Sequence, residues 1–134
     1  MPLPIATIDY RQLFERMPIV GYVVDRQWRI VAVTDRLLEA IHRSRDEVVG
    51  ADVFETFPDN PDDPGADGAA VMRASLERAF TSGKVEKLPR QRYDAPPARP
   101  GDPFEERYWH PENVPVKDES STVTLVIHTV IDAS

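Results

Sequence analysis

Several residues in this sequence are of types and spacings that could do chemistry. The stretch FPDNPDDP, residues 57–64, holds three aspartates and an asparagine. These are hard oxygen donors of the kind that bind calcium or magnesium. His42, His110 and His128 are the three histidines, and each could ligate a metal or titrate near neutral pH. Trp109, Asn113 and His128 offer a flat aromatic surface, an amide with donor and acceptor, and an imidazole that can be either. A few such groups on an apolar wall are what small-ligand sites use. Glu105 and Glu106 stand beside Arg107 and Tyr108, where paired carboxylates could act as acid and base.

Most of this chemistry is excluded by spacing. A helix-loop-helix calcium site needs alternating oxygen ligands, a glycine at the sharp bend and a closing bidentate glutamate. FPDNPDDP has no internal glycine, and prolines take the alternate positions. It reads as a hinge, with Asp62, Asp63 and Asp67 placed to cap the next helix. No second ligand lies at useful spacing from any histidine. Strand alternation puts Glu105 and Arg107 on one face, which predicts an ion pair. No Ser/His/Asp spacing, phosphate loop or metal triad is present. No catalytic residue and no metal ligand is therefore assigned. Cysteine is absent, which removes disulfides and thiol nucleophiles together.

The elements that must position the remaining candidates come from a chain of 134 residues, enough for one domain with its own core. A net charge of −7 argues against binding nucleic acid or an anionic membrane surface. No apolar run is long enough to span a bilayer. MPLPIATIDY lacks the basic-then-apolar pattern of a secretory signal, so a cytoplasmic protein is expected.

Along the chain, DYRQLFERM (9–17) places Tyr10, Leu13, Phe14 and Met17 at helical spacing, and Pro18 ends the helix. IVGYVV (19–24) suits a strand buried on both faces, and WRIVAV (28–33) pairs with it as a hairpin. Short helices come next. TDRLLEAIHR is capped by Thr34 or Asp35, SRDEVVG by Ser44 with Glu47, and DVFETFP by Asp52 with Glu55. A longer helix covers 66–82 and closes at Gly83. Three strands are expected at 85–93, 104–116 and 121–131, with KDES turning between the last two. Two strands, a helical block and three strands make an α+β fold with helices on one face of an antiparallel sheet.

This order, with the text inside it, resembles a PAS domain, the sensory module of bacterial signalling proteins. The matching pieces span nearly the whole chain. They are LFERMPIVGYVVDRQWRIVAVTDRLLEAIHRSRDEVVGADVFE, the long helix, and ERYWHPENVPVKDESSTVTLVIHTVIDAS. SRDEVVG is similar to the S-x-E-E-h-h-G signature (h, hydrophobic) between the short helices. VIDAS is similar to the ending that leads into a helical linker and an effector. FPDNPDDP, FEERYW and N-x-PV are similar to PAS domains at the front of sensor histidine kinases. The resemblance implies an N-terminal amphipathic helix at 1–18 and a sensory domain at 19–132. It implies a five-stranded sheet in spatial order 2-1-5-4-3, whose concave face and short helices enclose a pocket. PAS haem sensors usually take their ligand from the long helix, and here that helix has no histidine. Flavin photosensors need a cysteine where this chain has Val53. Neither haem nor a covalent flavin is expected, which leaves an unidentified small molecule.

If Trp109 points inward, alternation turns Pro111 and Asn113 inward too, and groups Thr124, Val126, His128 and Val130 on one face. Val123, Leu125, Ile127 and Ile131 fall on the other. A one-residue slip would reverse every assignment. The expected pocket is His128, Trp109 and Asn113, with Val24, Ile41, Phe54, Met72 and Val126 as its apolar wall. The structural alternative is that Trp109 fills the core and Asn113 ties down backbone. Both sheet faces are apolar, so the outer one calls for cover from the N-terminal helix or a second subunit, and a homodimer is expected. The function implied is sensing: binding a small molecule or partner and displacing the chain beyond Ile131, with a histidine kinase as the effector. The alternative is a ligand-free dimerisation and protein-interaction module. A cone-shaped enzyme of the ketosteroid-isomerase kind would open with long helices, and this chain opens with a hairpin.

Overall fold

In the computed structural model, which describes residues 5–133, the run IVGYVV forms strand β1 (Val20–Asp25), buried on both faces in the interior of a sheet. β2 (Ile30–Val33) returns antiparallel to it. The Asp25 carboxylate shapes the turn, accepting from the backbone N–H groups of Gln27 (2.9 Å) and Arg29 (3.0 Å). Trp28 sits at the bend with a φ of 63°, so the second strand begins two residues later than the sequence predicts. Released from the ladder, the Trp28 ring packs edge-on against Phe54 and Phe80.

The short helices form with the caps their sequences imply. Thr34 accepts from Leu37 N–H at the start of α2 (Asp35–Ile41), after α1 (Tyr10–Arg16) near the N-terminus. Ser44 and Glu47 make a reciprocal capping box on α3 (Arg45–Val48). Asp52 accepts from Phe54 and Glu55 N–H groups at α4 (Val53–Thr56). The long helix α5 (Gly68–Ser82) ends at Gly83, whose φ of 67° is the left-handed conformation a helix C-terminus favours. No helix among the described residues is long and apolar enough to cross a membrane.

The sheet runs β2-β1-β6-β5-β3, with β4 also on β5, where β5 is Tyr108–Lys117 and β6 is Val123–Asp132. This is the expected order, except that the expected third strand, 85–93, is divided into β3 (Glu86–Lys87) and β4 (Gln91–Arg92). Pro89 has no N–H to give a ladder, and across the gap Leu88 N–H still reaches Pro111 O at 2.9 Å. Residues 104–107, expected to open β5, form no strand: Glu105 makes an isolated bridge with Ala95, and Arg107 O accepts from Tyr93 N–H at 3.0 Å. Val116 lies opposite Leu125 and Lys117 opposite Val123, leaving Thr124 as a bulge. The extra residue reverses facing. Val123 therefore enters the core and Thr124 is exposed, the opposite of what unbroken alternation predicts. On the other side of the bulge Val126 and His128 face inward as expected.

The core lies between the inner sheet face and the helices, and its fully buried members include Val24, Ile30, Val33, Leu76 and Val126. α1 lies against β2 and α2 and is held by charge. Arg16 pairs with Asp35 at 2.7 Å, and Arg45 bridges Asp35 (2.7 Å) and Glu15 (3.1 Å). The hydrogen bond from Arg45, with the charge of Arg16, holds the Asp35 carboxyl below its usual pKa. Within one chain the apolar side of α1 stays open: Tyr10, Leu13 and Met17 are exposed, as is Ile131 at the end of β6. Residues 1–4 of the expected N-terminal segment, and Ser134, lie outside the described residues.

One close approach fixes how β1 meets β6. A Cβ at Gly21 would stand 2.6 Å from the His128 carbonyl oxygen, so only glycine lets the strands come together here. Gly21→Ala is expected to cost about 1–3 kcal/mol, as overpacked interiors do, read from urea denaturation. An unchanged midpoint would show that the contact is not tight.

Candidate functional site

A row of paired residues crosses the sheet on its inner face. Glu86 on β3 is opposite Asn113 on β5, Asn113 is opposite His128 on β6, and His128 is opposite Tyr22 on β1. Above this row, between the sheet and the helices, lies a cavity of about 70 Å³. Its floor is Gly21, Tyr22, Trp109, Pro111, His128 and Val130. Leu37 and Ile41 of α2, Met72 of α5 and Phe57 cover it. Gln91, Tyr93, Asp94, Pro96 and Arg107 surround its mouth.

Of the residues expected to meet in a pocket, the structure brings His128, Trp109, Ile41 and Met72 to this cavity. The others lie elsewhere. Val24 and Val126 pair with each other across β1 and β6 and are fully buried in the core. Phe54 belongs to the aromatic group around Trp28, with the Arg73 guanidinium over its ring at 4.2 Å. Asn113 is fully buried behind His128 and does not line the cavity. Trp109 gives the cavity a surface but no free donor, because its indole N–H is bonded to Tyr93 O at 2.9 Å. Val53 is buried in the core.

Asn113 is the joint between cavity and helix. Its side-chain amide NH₂ donates to Ser75 Oγ of α5 at 2.8 Å, and its Oδ1 is 2.7 Å from His128 Nδ1. Ser75 in turn donates to Glu86 Oε1 (3.3 Å), which Arg78 also holds at 2.8 Å. Burial pushes the His128 pKa down to about 3, since taking a charged imidazolium out of water is costly. The ring is neutral at ordinary pH. It stacks on Tyr22 with centroids 4.4 Å apart, and Tyr22 stacks on Phe57 behind it. Burial first, and the nearby Tyr93 second, raise the Tyr22 pKa well above the usual phenol value. Among the described residues the one buried side-chain polar atom without a hydrogen bond is Arg45 Nε, so the Tyr22 hydroxyl, which makes none here either, is open to the cavity that Tyr22 lines.

The aspartate-rich stretch shapes the mouth. Asn60 donates to Asp94 Oδ2 at 2.9 Å, and Arg92 forks onto both Asp94 oxygens at 3.0 Å each. Arg92 also approaches Asp63 (3.6 Å) and Glu106 (3.3 Å). Burial alone would raise the Asp94 pKa, but the bonds from Arg92, Asn60 and the Arg107 N–H outweigh it and hold the carboxyl low. Helix capping departs from the expected pattern. Asp59 accepts from Ala69 N–H (3.0 Å) near the start of α5. Asp67, at the cap position, makes no capping bond and accepts from Gln91 instead. Phe57 O accepts from the Tyr93 hydroxyl. Among the described residues no group of three or more acidic or histidine side chains is placed to hold a metal. Glu105 pairs with Arg107 at 2.9 Å, as alternation predicts.

Sequence reasoning missed Tyr22, Phe57, Tyr93 and Asp94. Tyr22 sits in a uniformly apolar run, where facing is unreadable. The pairing of β1 with β6 implied by the expected strand order, carried to single residues, would have set it opposite His128.

The fold has known counterparts. It aligns with the sensory box sensor histidine kinase from Vibrio cholerae at a TM-score of 0.63 and 18% identity, over 93% of this chain and 89% of that one. It aligns with the PAS domain of a protein from Colwellia psychrerythraea at 0.67 and 15%, over 92% of each. This chain has the PAS fold. VqmA bound to DPO also aligns, at 0.67 and 19%, over 90% of this chain and 55% of that one, so the chain spans just over half of VqmA. No protein-family model and no curated protein matches the sequence. In the PAS fold of this chain, the cavity is the space between the sheet and the helices that the resemblance implied.

The buried histidine generates a pH prediction. Its folded pKa, about 3, lies below its ordinary 6.5, so protons bind the unfolded chain first. Its contribution to stability is complete above about pH 6.5 and is lost as pH falls toward 3, by about 2 kcal/mol at pH 5. At neutral pH His128→Phe should cost roughly 1–3 kcal/mol, because Asn113 Oδ1 is left unpaired. Urea denaturation should show that gap closing on acidification. Parallel pH profiles for the two proteins would contradict a buried neutral His128.

Proposed function

We propose that this chain is a PAS sensory domain that takes a small molecule into the cavity beside His128. Occupancy would bias the position of the end of β6, where an effector such as a histidine kinase would be joined. The reading is carried by one observation: a mostly apolar cavity is lined by two otherwise buried polar residues, Tyr22 and His128, and among the described residues no hydrogen bond engages the Tyr22 hydroxyl or His128 Nε2. Polar groups that open onto such a cavity can bond a ligand inside it. The solved relatives agree with this, since one is a sensor histidine kinase and VqmA was solved bound to DPO. A ligand shifts such a device only by its differential affinity for two states. The route on offer is His128 to Asn113 to Ser75, which links the cavity to α5 and the sheet at once. The reading includes no haem, no covalent flavin, no catalysis and no nucleic acid, and it assigns the domain to the cytoplasm.

A second reading, a ligand-free dimerisation module, is favoured by the open side of α1. Tyr10, Leu13 and Met17 are 44–65% exposed, and burying each such side chain is worth about 1.5–3 kcal/mol at most. A dimer through α1 and the outer sheet face is compatible with sensing. Native mass spectrometry of gently purified protein reads both properties. The sensory reading expects a dimer carrying a small molecule whose loss changes thermal stability. A dimer that never retains or gains a ligand would leave only the second reading.

A further inference from the structure

The hydrogen bonds around the cavity specify more than its existence, because their direction is forced. This inference rests on the reading of the cavity as a ligand site. Glu86, paired with Arg78 at 2.8 Å, is an ionised carboxylate and can only accept. Ser75 Oγ, 3.3 Å away, therefore gives its one proton to Glu86. Having done so, it must accept from Asn113, which turns the amide NH₂ toward Ser75 and the amide oxygen toward His128. That oxygen takes a proton from Nδ1, so neutral His128 carries its hydrogen on Nδ1. Nε2 is then a bare acceptor, and it is the polar atom His128 has left to offer the cavity. Tyr22 adds a hydroxyl that can donate.

The rest of the cavity limits what can approach. Leu37, Ile41, Met72, Pro111 and Val130 make its walls apolar. The charges at the mouth are already matched, Asp94 by Arg92 and Arg107 by Glu105, so no free counter-charge awaits an ion. Desolvating an ion against such walls is unfavourable. A volume of about 70 Å³ gives room for about five water-sized groups, which is the scale of a very small molecule.

We propose that the cavity selects a small uncharged molecule that is apolar except for one hydrogen-bond donor, of the short-alcohol class. The donor bonds His128 Nε2, and the lone pairs on the same oxygen face the Tyr22 hydroxyl. A carbonyl without a donor would meet Nε2 acceptor to acceptor and is disfavoured.

Three probes of similar size test this on the whole chain by NMR titration of backbone amides: 1-butanol, 2-butanone and butyrate. 1-Butanol should bind with shifts centred on Tyr22, His128 and Met72, about tenfold tighter than 2-butanone, and butyrate should bind more weakly than 1-butanol. In His128→Phe the preference for 1-butanol over 2-butanone should fall toward one. 2-Butanone binding as tightly as 1-butanol would overturn the donor requirement while leaving the cavity as a binding site. Butyrate binding tightest would overturn the uncharged class. If none of the three perturbs the cavity residues of the folded protein, this proposal fails, while the sensory reading still stands or falls by whether native mass spectrometry finds a retained small molecule.

Discussion

A carboxylate can only accept hydrogen bonds, and at Glu86 that restriction passes inward through Ser75 and Asn113 to His128. Asn113 and Ser75 are completely buried. In such a setting a polar group left without its partner costs more than the bond is worth when made. The network is favourable because each link has a donor facing an acceptor, and such networks stiffen the structure that holds them. It joins α5 to β3, β5 and β6 along one row of the sheet. A helix shift that broke one link would leave several groups unpaired. The long helix is therefore fixed above the sheet by polarity as well as by Met72, Leu76 and Phe80.

Around this centre, charge does what apolar contact does elsewhere. α1 is attached through Glu15 and Arg16 rather than through its apolar side chains. The aspartate-rich stretch is attached to the cavity mouth through Arg92 and Asp94. Exposed pairs of this kind contribute little individually and weaken with salt. The Asp94 carboxylate differs, because it is almost wholly buried and meets Arg92 in a two-pronged contact. The mouth of the cavity is thus held by one buried pair together with exposed ones.

Much of this was legible in the residues. The capping box Ser44–Glu47, the Asp52 cap and the left-handed Gly83 follow from local chemistry, the strand order follows from the PAS resemblance, and the structure shows each. What failed was local too, but it needed partners to be seen. Thr124 becomes a bulge only through its pairing with β5, and that single residue reverses Val123. Leu88-Pro89 divides a strand that composition alone makes continuous. At the site, alternation found His128 and Asn113 but could not separate the cavity wall from the layer behind it. Val24, Phe54 and Val126 were apolar and inward, and depth is not written in periodicity. Arg92 and Asp94 carry no motif. Their role exists only because the loop at 57–64 folds back over them.

The chemistry of the cavity rests on His128 being held as a neutral ring with its proton on Nδ1. Nitrogen NMR of the histidine side chains reads this directly. The expected spectrum has an Nδ1 in the protonated, pyrrole-like range and an Nε2 in the bare, pyridine-like range, unchanged between about pH 8 and pH 5 although a free imidazole would titrate there. A proton on Nε2, or a titration midpoint near the ordinary value of about 6.5, would contradict it.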